Sequence, residues 1–188
     1  GEEQSGKVRE IGVELYQQLL AEAVAEANGT SNEKELWSPQ IDLGASVLIP
    51  DSYVSDLGVR LGLYRRIGVL KAKEEIDSFA AELVDRFGEI PVETEHLLRV
   101  VSIKQACREA NVEHIDAGPR GAVIGFLNDS FPAVERLISW VTQGEYKVRL
   151  RPDQKLVVTE EWGTIETRFL GIEKLLLDLS LLIVGDVK

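Results

Sequence analysis

Residues 61–88 read LGLYRRIGVLKAKEEIDSFAAELVDRFG. The second half, Glu74 to Phe87, places Ile76, Phe79, Ala80, Leu83, Val84 and Phe87 at i, i+3, i+4, i+7, i+8 and i+11. One apolar stripe at a period of 3.6 predicts an amphipathic helix. Gly88 stands where a left-handed cap would stop it, and Pro91 follows. The opposite face carries Glu75, Ser78, Glu82 and Asp85, with Arg86 beside them. Periodicity alone makes that face a solvated acidic edge.

Upstream, Asp56 to Leu70 reads as a helix interrupted by Gly58, Gly62 and Gly68. An interior glycine costs about 1 kcal/mol relative to alanine, so packing must compensate or the helix bends. Ile41, Leu43, Ala45, Val47 and Ile49 alternate, which predicts a strand over 41–49 with one buried face, ended by Pro50-Asp51-Ser52. Thr30 to Gln40 is a polar loop containing Pro39. Lys7 to Ala27 is a helix with a stripe of Ile11, Leu15 and Leu19, ended by Asn28-Gly29.

Downstream, Val92 to Ala110 is a helix whose Leu97, Leu98, Val100, Val101, Ile103 and Cys107 make a broad apolar surface, capped by Asn111. Val112–Ala117 and Ala122–Leu127 form a hairpin around Gly118-Pro119-Arg120-Gly121. Pro132 suits the first turn of a helix through Thr142. Tyr146–Leu150 and Lys155–Val158 form a second hairpin around Pro152-Asp153. Thr164 to Ile183 is the last helix, with Ile165, Phe169, Ile172, Leu176, Leu179 and Ile183 spaced 4, 3, 4, 3, 4. Helices alternating with short hairpins predict an α+β fold, a helical layer packed with a small, mostly antiparallel sheet. Helices dominate before Asn111 and hairpins after it, which places a sub-boundary near residue 111.

The 188 residues suffice for one good core or two small ones. A hydrophobic content of 44% and a charged content of 28% are ordinary for a globular domain. Lys and Arg number 21 against 32 Asp and Glu, a net charge of −11 with no basic cluster, which argues against direct nucleic-acid binding. The one cysteine, Cys107, excludes an internal disulfide and fits a cytoplasmic setting. Gly1-Glu2-Glu3-Gln4 is no secretory signal, and the apolar run Leu175–Val184 is broken by Asp178 and too short to span a bilayer. The chain contains no methionine and reads as a fragment of a larger polypeptide.

Catalytic chemistry finds little support. GEEQSGK at residues 1–7 approaches the phosphate loop G-x-x-x-x-G-K-[ST], but Val8 follows, no strand precedes it, and Glu2 and Glu3 repel phosphate. His96 and Cys107 lie eleven positions apart on one predicted helix, roughly 16 Å of rise, and cannot share a metal. Cys107 falls on an apolar face, where thiols are inert filling, and no G-x-S-x-G elbow exists for a serine nucleophile. The pairs Glu74-Glu75, Glu160-Glu161 and Glu82 with Asp85 read as exposed; a hydrolase would need carboxylates converging in a cleft. Trp37, Trp140 and Trp162 stand among acidic neighbours, without the interleaved cations of a base-stacking surface. Trp140, beside Leu137 and Ile138, is expected in the core.

Three pieces together are distinctive: PDSYV at 50–54, RLGLYRRI at 60–67, and ELVDRFG at 82–88 followed by Pro91. In this combination the chain resembles the C-terminal domain of the bacterial transcription-repair coupling factors, from Gly1 to about Leu182. The resemblance implies a parent ATP-dependent DNA translocase that displaces stalled RNA polymerase and recruits nucleotide excision repair. It makes residues 1–28 the end of the upstream motor lobe and a helix leading from it, and 29–188 a C-terminal regulatory domain. No catalytic residue, metal or cofactor is expected in this chain; ATP and Mg would belong to the parent's motor. The resemblance further implies that the domain folds back on a UvrB-like module of the same polypeptide, hides its UvrA-binding surface, and restrains the motor until RNA polymerase is engaged. The contact would use Glu82 and Asp85 facing arginines of the module, on the edge that also holds Ser78, Glu75 and Arg86. A monomer is expected. The alternative is an autonomous protein-binding or dimerisation domain that uses the leucine-rich last helix.

Overall fold

The computed structural model describes residues 37–144 and 146–185. The expected helix over 7–27, the 1–7 loop and most of the 30–40 loop lie outside the described residues. The described chain forms two compact units: residues 46–102, and residues 37–45 together with the chain from 103 onward.

In the first unit, Pro50 opens a turn held by Tyr53 N–H and Val54 N–H to its carbonyl, at 3.0 and 3.1 Å. Helix α1, Leu57–Gly68, starts where the Asp56 carboxylate accepts Val59 N–H at 2.8 Å. Helix α2, Lys73–Phe87, follows after four residues. Its cap residue Ala72 has no side-chain acceptor, so only the return half of a capping box forms: the Glu75 carboxylate accepts Lys71 N–H at 2.7 Å and Ala72 N–H at 3.1 Å. Gly88 closes α2 with φ 89° and ψ −159°, a positive φ but not the left-handed helical cap expected. Helix α3, Val92–Glu109, then begins; its residues from Ile103 on, Cys107 among them, belong to the second unit. Buried Thr94 donates its hydroxyl to Leu48 O at 3.0 Å, while Leu48 N–H reaches Glu93 O at 3.3 Å. These bonds clip the extended 46–49 segment to the start of α3. The core joins Ile49, Val54, Leu63, Ile67, Ile76, Phe79, Leu83, Leu97 and Leu98.

The second unit carries a five-stranded sheet in the order β1-β2-β3-β5-β4. The strands are β1 Gln40–Asp42, β2 Val112–Gly118, β3 Gly121–Phe126, β4 Lys147–Leu150 and β5 Leu156–Thr159. Only β1 with β2 is parallel; the other three pairs are antiparallel. The register sets Ile115, Ile124, Leu156 and Leu150 in one row and Ala117, Ala122, Val158 and Val148 in the next. Helices α4, Val134–Gln143, and α5, Ile165–Val184, complete the unit. Gly121 is required at φ +124°, because a Cβ there would lie 1.9 Å from Val158 O. Helix α5 starts at a reciprocal cap: Thr167 N–H donates to Thr164 Oγ1 at 3.1 Å, and Thr164 N–H to Thr167 Oγ1 at 3.2 Å.

The strand expected over 41–49 stops at Asp42. The Asp42 carboxylate accepts Gly44 N–H at 2.8 Å, Gly44 adopts φ +67°, and Arg168 Nη1 donates to Leu43 O at 3.0 Å. Side-chain bonds thus replace the ladder; of the face expected to be buried, Leu43 and Ile49 are, while Ile41, Ala45 and Val47 are only half-buried. Val84, assigned to the apolar stripe of α2, is exposed. Trp140 is not core: it is half-buried, with its ring 5.5 Å from that of Tyr146, and its neighbour Ile138 is exposed. On α5, Phe169, Ile172, Leu176 and Leu179 face the core, joined by Leu175. Cys107 is fully buried.

Candidate functional site

The three stretches that carry the resemblance meet in the first unit. Tyr53 of PDSYV shares its one hydroxyl proton between Gly88 O at 2.9 Å and Leu83 O at 3.1 Å, which ties the 50–54 turn to the end of α2. Its ring stands edge-on to Phe87 at 5.8 Å. Tyr64 of the LYRR stretch accepts Ile49 N–H at 2.7 Å. Arg66 of the same stretch reaches across to α2 and grips Glu82 with two nitrogens, Nη2 to Oε1 at 3.0 Å and Nη1 to Oε2.

Helix periodicity explains why one edge collects these groups. Phe79 and Leu83 face inward, which turns Ser78 and Asp85 fully outward and leaves Glu82 on a flank beside α1. That flank is layered. The Arg66 guanidinium lies over the Phe79 ring at 4.9 Å, and the Arg86 guanidinium over the Phe87 ring at 4.9 Å. Arg86 Nη1 also reaches Glu82 Oε2 at 3.4 Å, the i,i+4 pair. Arg66 and then Arg86 hold the Glu82 carboxyl below its ordinary pKa, and Glu82 raises that of Arg66.

The predicted residues are therefore not equivalent. Glu75 is exposed but engaged as a helix cap, and the Lys71 and Ala72 N–H groups lower its pKa. Glu82 is bound by two cations, so the trio Arg66–Glu82–Arg86 is net positive. Asp85 and Ser78 are exposed and, among the described residues, have no hydrogen bond or ion pair. The edge that reads as acidic in sequence is half neutralised by a residue sixteen positions upstream. Arg66 was missed because a cross-helix pair leaves no local pattern; its spacing to Glu82 depends on how α1 packs on α2. Val84 and Ala81, both exposed, lie on the side of Asp85 away from Glu82.

A shallow pocket of about 150 Å³ is lined by Arg136, Ser139, Trp140, Gln143 and Leu182, without a carboxylate. Arg136 is committed there to the end of α5, with Nε to Leu182 O at 2.6 Å and Nη2 to Ile183 O at 3.1 Å. Burial pushes the Cys107 thiol up to about 12, far from a reactive thiolate. Among the described residues no three His, Cys, Asp or Glu side chains are grouped to hold a metal, and no helix is long and apolar enough to cross a membrane.

Known proteins resemble this chain in sequence and in fold. The TRCF domain family matches residues 43–137. The transcription-repair-coupling factor of Rickettsia conorii is 43% identical over 84% of this chain, which corresponds to 14% of the relative's length. That of Myxococcus xanthus is 34% identical over 96% of the chain, and that of Escherichia coli 28% identical over 96%. A crystal structure of the C-terminal domain of a transcription-repair coupling factor superposes with a TM-score of 0.57 at 17% identity, covering 76% of this chain and 95% of the other. This chain thus spans about one seventh of the length of such curated relatives. By the residues it shares with them, the chain belongs to the transcription-repair coupling factor family, within the region that holds its TRCF domain.

Proposed function

We propose that this chain is the C-terminal regulatory domain of a longer transcription-repair coupling polypeptide, and that the outer edge of α2 closes on a UvrB-like module of the same polypeptide. Closure hides the module's UvrA-binding surface and restrains an ATP-dependent DNA translocase until RNA polymerase is engaged. In this reading the chain is a cytoplasmic binding element rather than a catalyst, and ATP and Mg serve the motor elsewhere. The observation that carries it is the outer edge of α2. The helix packs Phe79 and Leu83 inward and leaves Ser78 and Asp85 exposed without partners among the described residues. Family membership supplies the context.

A latch closed 99% of the time must win by about 2.7 kcal/mol, two decades of equilibrium constant. Exposed ion pairs contribute too little to reach that margin alone. Val84 and Ala81, exposed beside Asp85, are the apolar surface that would supply the remainder. The test is Asp85→Arg, alone and with Glu82→Arg, in the full-length parent, read by UvrA pull-down without RNA polymerase. Like charge against a cationic partner should open the latch and capture UvrA. Asp85→Arg is the cleaner variant, because Glu82→Arg also breaks the pair with Arg66. If both reversed parents ignore UvrA while the melting temperature is unchanged, the edge is a solvated face.

One observation favours a second reading, a dimerisation or protein-binding helix. Besides its buried stripe, α5 exposes Leu170, Leu177, Leu181 and Val184, spaced 7, 4 and 3 on one face. A stable dimer by sedimentation at micromolar concentration, lost on Leu177→Glu with Leu181→Glu, would favour it; a monomer leaves the latch.

A further inference from the structure

We propose that Arg66 is an internal competitor for the partner's cation: it occupies Glu82 in the free domain and must release it before Glu82 can join the interface. The inference rests on the reading that the α2 edge meets a cationic module. It departs from that reading in assigning opposite roles to two neighbouring groups of the same edge.

The geometry supports this through the state of the Glu82 carboxylate. A carboxylate offers about four lone-pair sites. Three of them are taken at Glu82, by both Nη atoms of Arg66 and by Nη1 of Arg86, which leaves one. A two-pronged guanidinium grip from outside therefore has no open approach. The charge argument points the same way. An arriving arginine meets a trio with two cations and one anion, and is repelled until one cation withdraws. Arg86 makes a single contact at 3.4 Å, whereas Arg66 holds both oxygens, so Arg66 is the group that decides access. The competitor also has a resting place once it lets go, since its guanidinium already lies over the Phe79 ring. Asp85, one turn further along and unpartnered among the described residues, receives the first contact. Arg66 and Glu82 are 49% and 36% exposed at their side chains, so the exchange needs no unfolding. The consequence is a latch weaker than its carboxylates alone would make it, and so easier to release.

The test is a double-mutant cycle on the 188-residue chain binding to the UvrB-like module of its parent, with Kd read at low and at physiological salt. Arg66→Gln should tighten binding by about two- to fivefold, the fold-change of one exposed ion pair. In a Glu82→Gln background the same Arg66→Gln substitution should give a smaller gain that vanishes at physiological salt, because only charge repulsion is relieved and no carboxylate is freed. Glu82→Gln and Asp85→Asn alone should each weaken binding. If Arg66→Gln weakens binding or leaves it unchanged while Glu82→Gln and Asp85→Asn weaken it, Arg66 is itself a contact or a bystander. The competitor is then refuted, and the latch reading stands. If neither Glu82→Gln nor Asp85→Asn changes Kd, the latch reading fails and the competitor fails with it. A lower melting temperature for Arg66→Gln would call for Arg66→Lys, which keeps a cation near Phe79 but loses the two-pronged grip. A gain in the same direction is then expected, and a loss of affinity with an unchanged melt refutes the proposal.

Discussion

Replacing Leu83 by alanine should destabilise the first unit by about 2–5 kcal/mol, while Val84→Ala, one position along, should change stability by less than about 0.5 kcal/mol. Leu83 has no exposed surface and belongs to the cluster of Ile49, Val54, Leu63, Ile67, Ile76, Phe79, Leu97 and Leu98. Those neighbours come from three helices and the clipped 46–54 segment, each held by its own backbone bonds. They cannot collapse far into the void, which places the expected loss in the upper half of the range. Val84 is 51% exposed, and alanine is the better helix former, so its small hydrophobic loss is partly offset by propensity. The assay is urea denaturation followed by two probes. Circular dichroism in the far ultraviolet reports both units. Tryptophan fluorescence reports only the second, because Trp37, Trp140 and Trp162 all belong to it. If the units unfold together, both probes shift to lower urea in Leu83→Ala with an unchanged slope. If they unfold separately, only the circular-dichroism transition moves. A loss below about 0.5 kcal/mol for Leu83→Ala, or an equal loss for Val84→Ala, would refute the orientation of α2 on which the whole edge depends.

Two glycines should respond in opposite directions. Gly62 lies inside α1 with nothing within 4 Å of the place an alanine methyl would take, so Gly62→Ala should stabilise by about 1 kcal/mol in a thermal melt. Gly171 lies inside α5 against the Trp162 indole, where a Cβ would fall 2.4 Å from ring carbons; Gly171→Ala should cost about 1–3 kcal/mol and shift the tryptophan emission. Alkaline pH should destabilise the second unit through Cys107. Its folded-state thiol is raised from 9.0 to about 12, so the folded chain holds the proton more tightly than the unfolded chain. The stabilisation is complete below about pH 9 and is lost as pH rises towards 12. Cys107→Ser or Cys107→Ala should flatten that slope in urea titrations run from mildly to strongly alkaline pH; an unchanged slope would assign it to other groups. Folded chain should also resist thiol reagents at mildly alkaline pH that modify it readily in urea.

The sequence by itself determined the order of elements from Asp56 to Val184, the α+β class, and which face of α2 carries charge. Those follow from local patterns: a 3.6 period in the helices, a two-residue alternation in the strands, and Gly, Pro and Asn at the breaks between them. It also determined the family, through PDSYV, LYRR and ELVDRFG taken together. The alternation over 41–49 foretold the burial of Leu43 and Ile49 but not the half-exposure of Ile41, Ala45 and Val47, and not the pairing, because a strand exists only where another strand accepts its ladder, and Asp42 with Gly44 ends that early. Val84 and Trp140 lie at the margins of apolar stripes, where the packing of neighbouring helices decides exposure. Tertiary structure alone decided that Glu82 is not a free carboxylate. Arg66 stands on a different helix, and the distance between two side chains on packed helices depends on crossing angle and depth of packing, which no spacing in the chain encodes.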